Sequence, residues 1–97
     1  MDETQLKQGT KQFALRVIKL VGALPGTIHG RAIGGQLVRS GTSVGANYRA
    51  ACRARSKAEF VSKLGTVEEE ADESAYWLEL VVDAGLLKPK RVAQLHQ

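Results

Sequence analysis

The sequence predicts an all-α fold, an antiparallel up-and-down four-helix bundle with a short last helix that assembles as a homo-oligomer. Apolar residues repeat at helical spacing through three long segments, turn and capping residues separate those segments, and strand signals are absent. The 97 residues are enough for one domain, residues 1–97. A domain of this size commonly gains buried surface by oligomerisation.

Turn and capping residues set the expected helix boundaries. The predicted helices cover about residues 4–24, 27–55, 56–85 and 89–97. Pro25-Gly26 ends the first helix. Ser56 and Glu59 form a capping box that starts the third helix, and Gly85 is typical of the C-cap that would end it. Pro89 suits the first turn of the fourth helix.

The second predicted helix is rich in glycine, which weakens a helix interior. Four of its five glycines fall on one stripe at helical spacing: Gly30, Gly34, Gly41 and Gly45. One interpretation is a weak or broken helix. The other is a groove in which the backbone of another helix packs closely.

Charge is distributed unevenly along a chain of net charge +4. Residues 1–56 contain nine lysines and arginines but only two acids, whereas residues 57–87 contain eight acids and two lysines. On a helical wheel, four arginines of the second helix share an arc almost opposite its apolar face. They are Arg31, Arg39, Arg49 and Arg53. They either contact the phosphates of RNA or DNA or pair with acids of a neighbouring helix or subunit.

Two further groups of residues are candidate sites. A polar line on the second helix, with carboxylates of the third, is a candidate buried network: Gln36, Ser43, Asn47, Glu69 and Glu73. The alternative is that the polar line is simply exposed to solvent. The end of the third helix is apolar nearly all round, because Tyr76, Trp77 and Leu80 lie away from its core face. We expect those three residues to form an interface between subunits, with cover by the fourth helix as the alternative.

Patterns of catalysis, metal binding and membrane insertion are missing from the sequence. No nucleophile–base pair or phosphate loop is recognisable, and His29 and His96 do not form the Glu-x-x-His motif of a di-metal bundle. We therefore expect no enzymatic activity, cofactor or metal. No apolar run approaches the roughly 20 residues of a membrane span. The polar N-terminus and the single Cys52 indicate a cytoplasmic protein.

Five blocks between Gln36 and Leu87 follow one another in a recognisable order. They are Arg39-Ser-Gly-Thr-Ser-Val-Gly-Ala-Asn47, Arg53-Ala-Arg-Ser-Lys-Ala-Glu-Phe60, Lys63-Leu64, Glu68-Glu-Glu-Ala-Asp-Glu73 and Tyr76-Trp-Leu-Glu-Leu80. Together they resemble the 23S ribosomal RNA intervening-sequence protein family. Many members read Asn-Ile-Ala-Glu-Gly where this chain has Asn47-Tyr-Arg-Ala-Ala51, so the second helix is more basic here.

The resemblance implies a left-handed up-and-down bundle that forms a ring-shaped homopentamer. The family includes accessory proteins of diversity-generating retroelements, which are basic pentamers that bind nucleic acid and a reverse transcriptase. For most members no biochemical function is established. Our leading hypothesis is a homo-oligomeric nucleic-acid-binding or adaptor protein. The alternative is an assembly scaffold that binds another protein and whose arginines pair with acids inside the oligomer.

Overall fold

The computed structural model describes residues 2–93, and this part of the chain is helical without a strand. The helices are α1 (Glu3–Gly22), α2 (Ile28–Cys52), α3 (Lys57–Asp83) and α4 (Pro89–Ala93). Together they form an elongated body of 44 × 22 × 17 Å. The prediction of three long helices and a short one is confirmed. The predicted end of the fourth helix, which includes His96, lies outside the described residues.

Side-chain caps explain where the helices begin. Asp2 starts α1, since its carboxylate accepts from the backbone N–H of Gln5 while the Gln5 side chain accepts from the N–H of Asp2. Thr27 caps α2 through the N–H of Gly30. Ser56 caps α3 as predicted, whereas the Glu59 carboxylate accepts from the N–H of Arg55. The last three residues predicted for α2, residues 53–55, lie beyond its end at Cys52.

Gly85 ends the third helix in the way its sequence position predicted. It is the C′ residue and has a φ of 71°, a left-handed conformation that glycine adopts without steric cost. Its N–H donates to the carbonyl of Val82, and the N–H of Leu86 donates to the carbonyl of Val81. These two bonds form a Schellman motif, which satisfies carbonyls that the helix leaves free.

Helix α2 packs against both α1 and α3, and the short α4 packs against α3. The main core cluster contains residues from all four helices: Val17, Leu20, Leu37, Leu78, Val81 and Val92. Phe13 and Trp77 pack against this cluster while remaining partly exposed. The core therefore lies toward the end of the molecule that holds α4.

Three glycines of the stripe, Gly34, Gly41 and Gly45, form the contact surface of α2 for α1, so the prediction of a closely packed groove is confirmed for them, whereas Gly30 lies against Pro25 and Thr27 at the link between the helices. A Cβ atom at Gly41 would lie 2.9 Å from Cγ2 of Val17, and one at Gly45 would lie 3.1 Å from Oγ1 of Thr10. Gly35 is outside the stripe and has open space around it. The missing side chains let the two antiparallel helices approach each other, which offsets the cost of glycine in a helix interior.

A pair of serines forms a fully buried polar contact between α2 and α3. The Oγ atoms of Ser40 and Ser74 lie 2.9 Å apart, and both residues are buried. Each hydroxyl also lies near a carbonyl of its own helix, that of Leu37 or of Glu70. Since each hydroxyl has one proton, one serine donates to the other, which in turn donates to its own carbonyl.

Candidate nucleic-acid interface

Four basic side chains line a groove on the outer surface between α1 and α2. Lys7 and Lys11 belong to α1, Arg49 belongs to the last turn of α2, and Arg53 directly follows that helix. Two adjoining depressions of about 480 Å³ each make up the groove, and both include Lys7, Ala46 and Arg49. We call it the basic groove. It exists because the antiparallel packing of α1 on α2 brings the start of one helix beside the end of the other.

Small residues between the cations keep the basic groove open. They are Thr10, Ala14, Thr42, Gly45 and Ala46. The close approach of Gly45 to Thr10 sets the distance between the two helices at this point. Gln8 and Gln12 add amide groups to the α1 side, and no aromatic side chain lines either depression.

The charge of the basic groove is little neutralised within the described chain. Lys7 Nζ lies 3.8 Å from a carboxylate oxygen of Glu3, and both side chains are substantially exposed. Such an exposed pair is worth at most about 1 kcal/mol, so water and salt compete with it readily. None of the ion pairs found among residues 2–93 includes Lys11, Arg49 or Arg53. The groove thus concentrates positive charge on a concave surface.

Arg39 differs from the other three predicted arginines, because two acids of α3 hold it. Its guanidinium lies 3.2 Å from a carboxylate oxygen of Glu70 and also pairs with Glu73. Arg31 is exposed at the start of α2, about 27 Å from Arg49 along a helix of 1.5 Å rise per residue. The structure therefore brings Arg49 and Arg53 together and separates Arg31 and Arg39 from them.

Three of the five residues predicted for the polar network contact Arg39, and a fourth, Asn47, contacts Ser43. The Arg39 Nε donates to Gln36 at 3.3 Å, and its backbone carbonyl accepts from Ser43 at 2.6 Å. Asn47 donates in turn to the carbonyl of Ser43, at 2.9 Å. Glu73 joins through its ion pair. Gln36 is exposed, so much of this network is at the surface, and Glu69 is exposed outside it.

The predicted interface residues lie at different depths. Tyr76 is 53% exposed and its ring meets that of Trp77 edge to face, with 5.2 Å between the centroids. Trp77 itself packs against the core of its own chain, and Leu80 is half-buried. Tyr76 is therefore the member of this set that leaves most apolar surface uncovered.

Tyr48 and Cys52 lie one turn apart near the end of α2. Tyr48 is buried, and this burial raises the pKa of its phenol, with the Cys52 thiol as a further cause. The phenol accordingly stays neutral at physiological pH. Tyr48 therefore contributes to the packing between helices and adds no charge near the basic groove.

Residues 2–93 contain neither a metal-binding cluster nor a helix that could cross a membrane. Nowhere in this part of the chain do three His, Cys, Asp or Glu side chains come together as a metal site requires. No helix in it combines the length and the apolar character needed to cross a bilayer.

Sequence reasoning missed Lys7 and Lys11. They lie four residues apart and so share one face of α1, which was a usable signal. The glycine stripe was the other signal, because it predicted which face of α2 a neighbouring helix covers. Combining the two with an antiparallel connection would have placed both lysines beside Arg49.

The fold defines the class to which this chain belongs, that of small proteins with three long antiparallel helices and a short fourth. A family model described as 23S rRNA-intervening sequence protein matches residues 2–97, and the chain belongs to that family. A similar solved structure is a protein of unknown function from the S23 ribosomal protein family of Bacteroides thetaiotaomicron. It is 34% identical with a TM-score of 0.86, over 93% of this chain and 83% of that one. No curated protein matches the chain.

Proposed function

We propose that this chain is a non-enzymatic, homo-oligomeric protein that binds nucleic acid through backbone phosphates in the basic groove. The proposal rests on four basic side chains that line one groove: Lys7, Lys11, Arg49 and Arg53. Among the described residues, Glu3 is the one acid that forms an ion pair with any of them. Phosphate contacts of this kind give affinity without sequence preference. The single cysteine favours the cytoplasm as the compartment.

A salt series tests this proposal. A labelled RNA or DNA of arbitrary sequence is titrated with the wild type and with a groove variant in which Lys7, Lys11, Arg49 and Arg53 are changed to Gln. We expect the wild type to bind at low salt and to lose affinity steeply as salt rises, because binding releases counterions. The groove variant should bind weakly, with a much flatter dependence on salt.

A matched variant separates the groove from general charge. Arg16, Lys19, Lys90 and Arg91 are exposed residues outside the groove. Changing these four to Gln removes the same charge and should leave most of the salt dependence intact. Absence of binding by the wild type at low salt, or equal losses in both variants, contradicts the proposal.

A scaffold that binds another protein is the second candidate function. The ion pairs of Arg39 with Glu70 and Glu73 favour it, since they show that α2 arginines can be taken up by acids of α3. Under this alternative, acids of a neighbouring subunit would occupy Arg49 and Arg53 in the same manner. The groove variant would then dissociate from the oligomer into smaller species. The salt series alone does not measure this outcome.

The proposed homo-oligomer, a pentamer by the family resemblance, rests on uncovered apolar surface. Exposed large apolar residues occur on α1, α2 and α3: Leu15, Ile18, Ile28, Phe60, Val61 and Tyr76. Sedimentation of the wild type and of Tyr76→Glu measures the mass directly. We expect the wild type to sediment as an oligomer and the variant to dissociate while staying helical. A monomeric wild type rejects oligomerisation, and an unchanged variant rejects Tyr76 as a contact.

A further inference from the structure

The shape of the basic groove limits the form of nucleic acid that fits it, an inference that rests on the proposed function. Its four cations form two pairs, each with a spacing of four residues, so neighbouring Cβ atoms within a pair are about 5–6 Å apart. The pairs belong to packed helices whose axes lie about 8–10 Å apart. Lys7 and Arg49 border both depressions, whereas Lys11 borders only one and Arg53 only the other. The cations therefore form a row along the groove, with Lys7 and Arg49 side by side in its middle.

A duplex fits the basic groove less well than a single strand does. Each helix with its side chains is about 10–12 Å across, so α1 and α2 together exceed the roughly 12 Å width of a major groove and cannot enter it. A duplex lying on the surface would meet the rims of the groove with one strand and leave the floor empty.

A single strand lying along the groove fits better. One strand carries a phosphate about every 3.4 Å when its bases are stacked, so about two phosphates span the distance between the cations of one pair. One phosphate would lie between Lys7 and Arg49, and its neighbour along the strand would lie toward Lys11 or toward Arg53. No aromatic side chain lines the groove, so there is no surface on which a base could stack.

We propose that the basic groove holds one single strand of nucleic acid lengthwise, by about two successive phosphates, with the bases turned toward solvent. The ligand is recognised as a sugar–phosphate chain. DNA and RNA single strands share this chemistry, and the identity of the bases has no part in it.

Three labelled ligands of equal length test this inference at several salt concentrations: a single strand, an abasic single strand and a duplex. We expect the single and abasic strands to bind with equal affinity and the duplex to bind more weakly. For the single strand, the slope of log affinity against log salt should flatten by about 1.4 per groove in the groove variant, since each of two phosphates contributes about 0.7. The control variant should keep the wild-type slope.

Removal of the Glu3 carboxylate provides a test by a gain of binding affinity. Glu3 pairs with Lys7 and competes with a phosphate for it. Glu3→Gln should therefore bind the single strand more tightly at low salt, and the advantage should fade as salt rises. An unchanged or lower affinity of this variant contradicts a phosphate at Lys7.

The possible failures differ between the two proposals. If the duplex binds as tightly as the single strand, or if the abasic strand loses affinity, the lengthwise strand is rejected while nucleic-acid binding stands. If no ligand binds at low salt, the proposed function is rejected together with this inference.

Discussion

At the residue scale, α2 meets each of its two long neighbours closely at a small residue, Gly41 on one side and Ser40 on the other. Val17 fills the gap beside Gly41 on the α1 side, and Ser74 meets Ser40 on the α3 side. Both α2 residues are small, and both are buried. Packing at this density transmits even a single added methyl group to the neighbouring helix.

Gly41→Ala should destabilise the protein by about 1–3 kcal/mol, because its Cβ would overlap the branched side chain of Val17. Gly35→Ala is the matched control. It adds the same methyl group to the same helix in open space, so it should stabilise the protein by up to about 1 kcal/mol. Urea unfolding measures both effects. Equal effects of the two substitutions would show that close packing at Gly41 is absent.

The buried serine pair should behave as one unit. Ser40→Ala and Ser74→Ala should each cost about 1 kcal/mol, because each leaves the other hydroxyl buried without its partner. The double variant should cost clearly less than the sum of the two. Chemical denaturation of the four proteins gives the coupling free energy. Additive losses would indicate that the hydroxyls do not interact.

At the element scale, α2 carries a different function on each side. Its glycine stripe packs on α1, its middle pairs with α3 through Arg39, and its end contributes Arg49 and Arg53 to the basic groove. The glycine stripe and the caps at Thr27, Ser56 and Gly85 followed from local sequence. The division of the arginines did not, because a helical wheel gives the direction of a side chain but not the residues of the neighbouring helix that meet it.

Arg39→Gln and Arg49→Gln should separate stability from binding. Arg39→Gln removes two ion pairs of a half-exposed side chain, so it should cost up to about 1 kcal/mol of stability and leave nucleic-acid affinity nearly unchanged. Arg49→Gln should change stability by less than about 0.5 kcal/mol and weaken binding. Urea unfolding and a binding titration of both variants test this assignment. A larger loss of binding in Arg39→Gln would reverse it.

At the scale of the whole molecule, the fold converts a charge asymmetry along the chain into a local site. The sequence pattern alone predicted that residues 1–56 are basic and that the third helix is acidic. Folding pairs one arginine of α2, Arg39, with acids of α3. It leaves other positive charges concentrated in the basic groove between α1 and α2. The pairing at Arg39 could not be predicted in this way, because it depends on how far α2 and α3 are offset along their shared axis.

Photocrosslinking tests directly, without removing any charge, whether nucleic acid lies in the basic groove. A benzophenone side chain replaces Ala46, an exposed residue of the groove floor, or Ala71, an exposed residue on the acidic helix α3. We predict that a labelled single-stranded oligonucleotide crosslinks to the variant at position 46 and not to the one at position 71. Crosslinking at position 71 alone, or equally at both positions, would contradict the account.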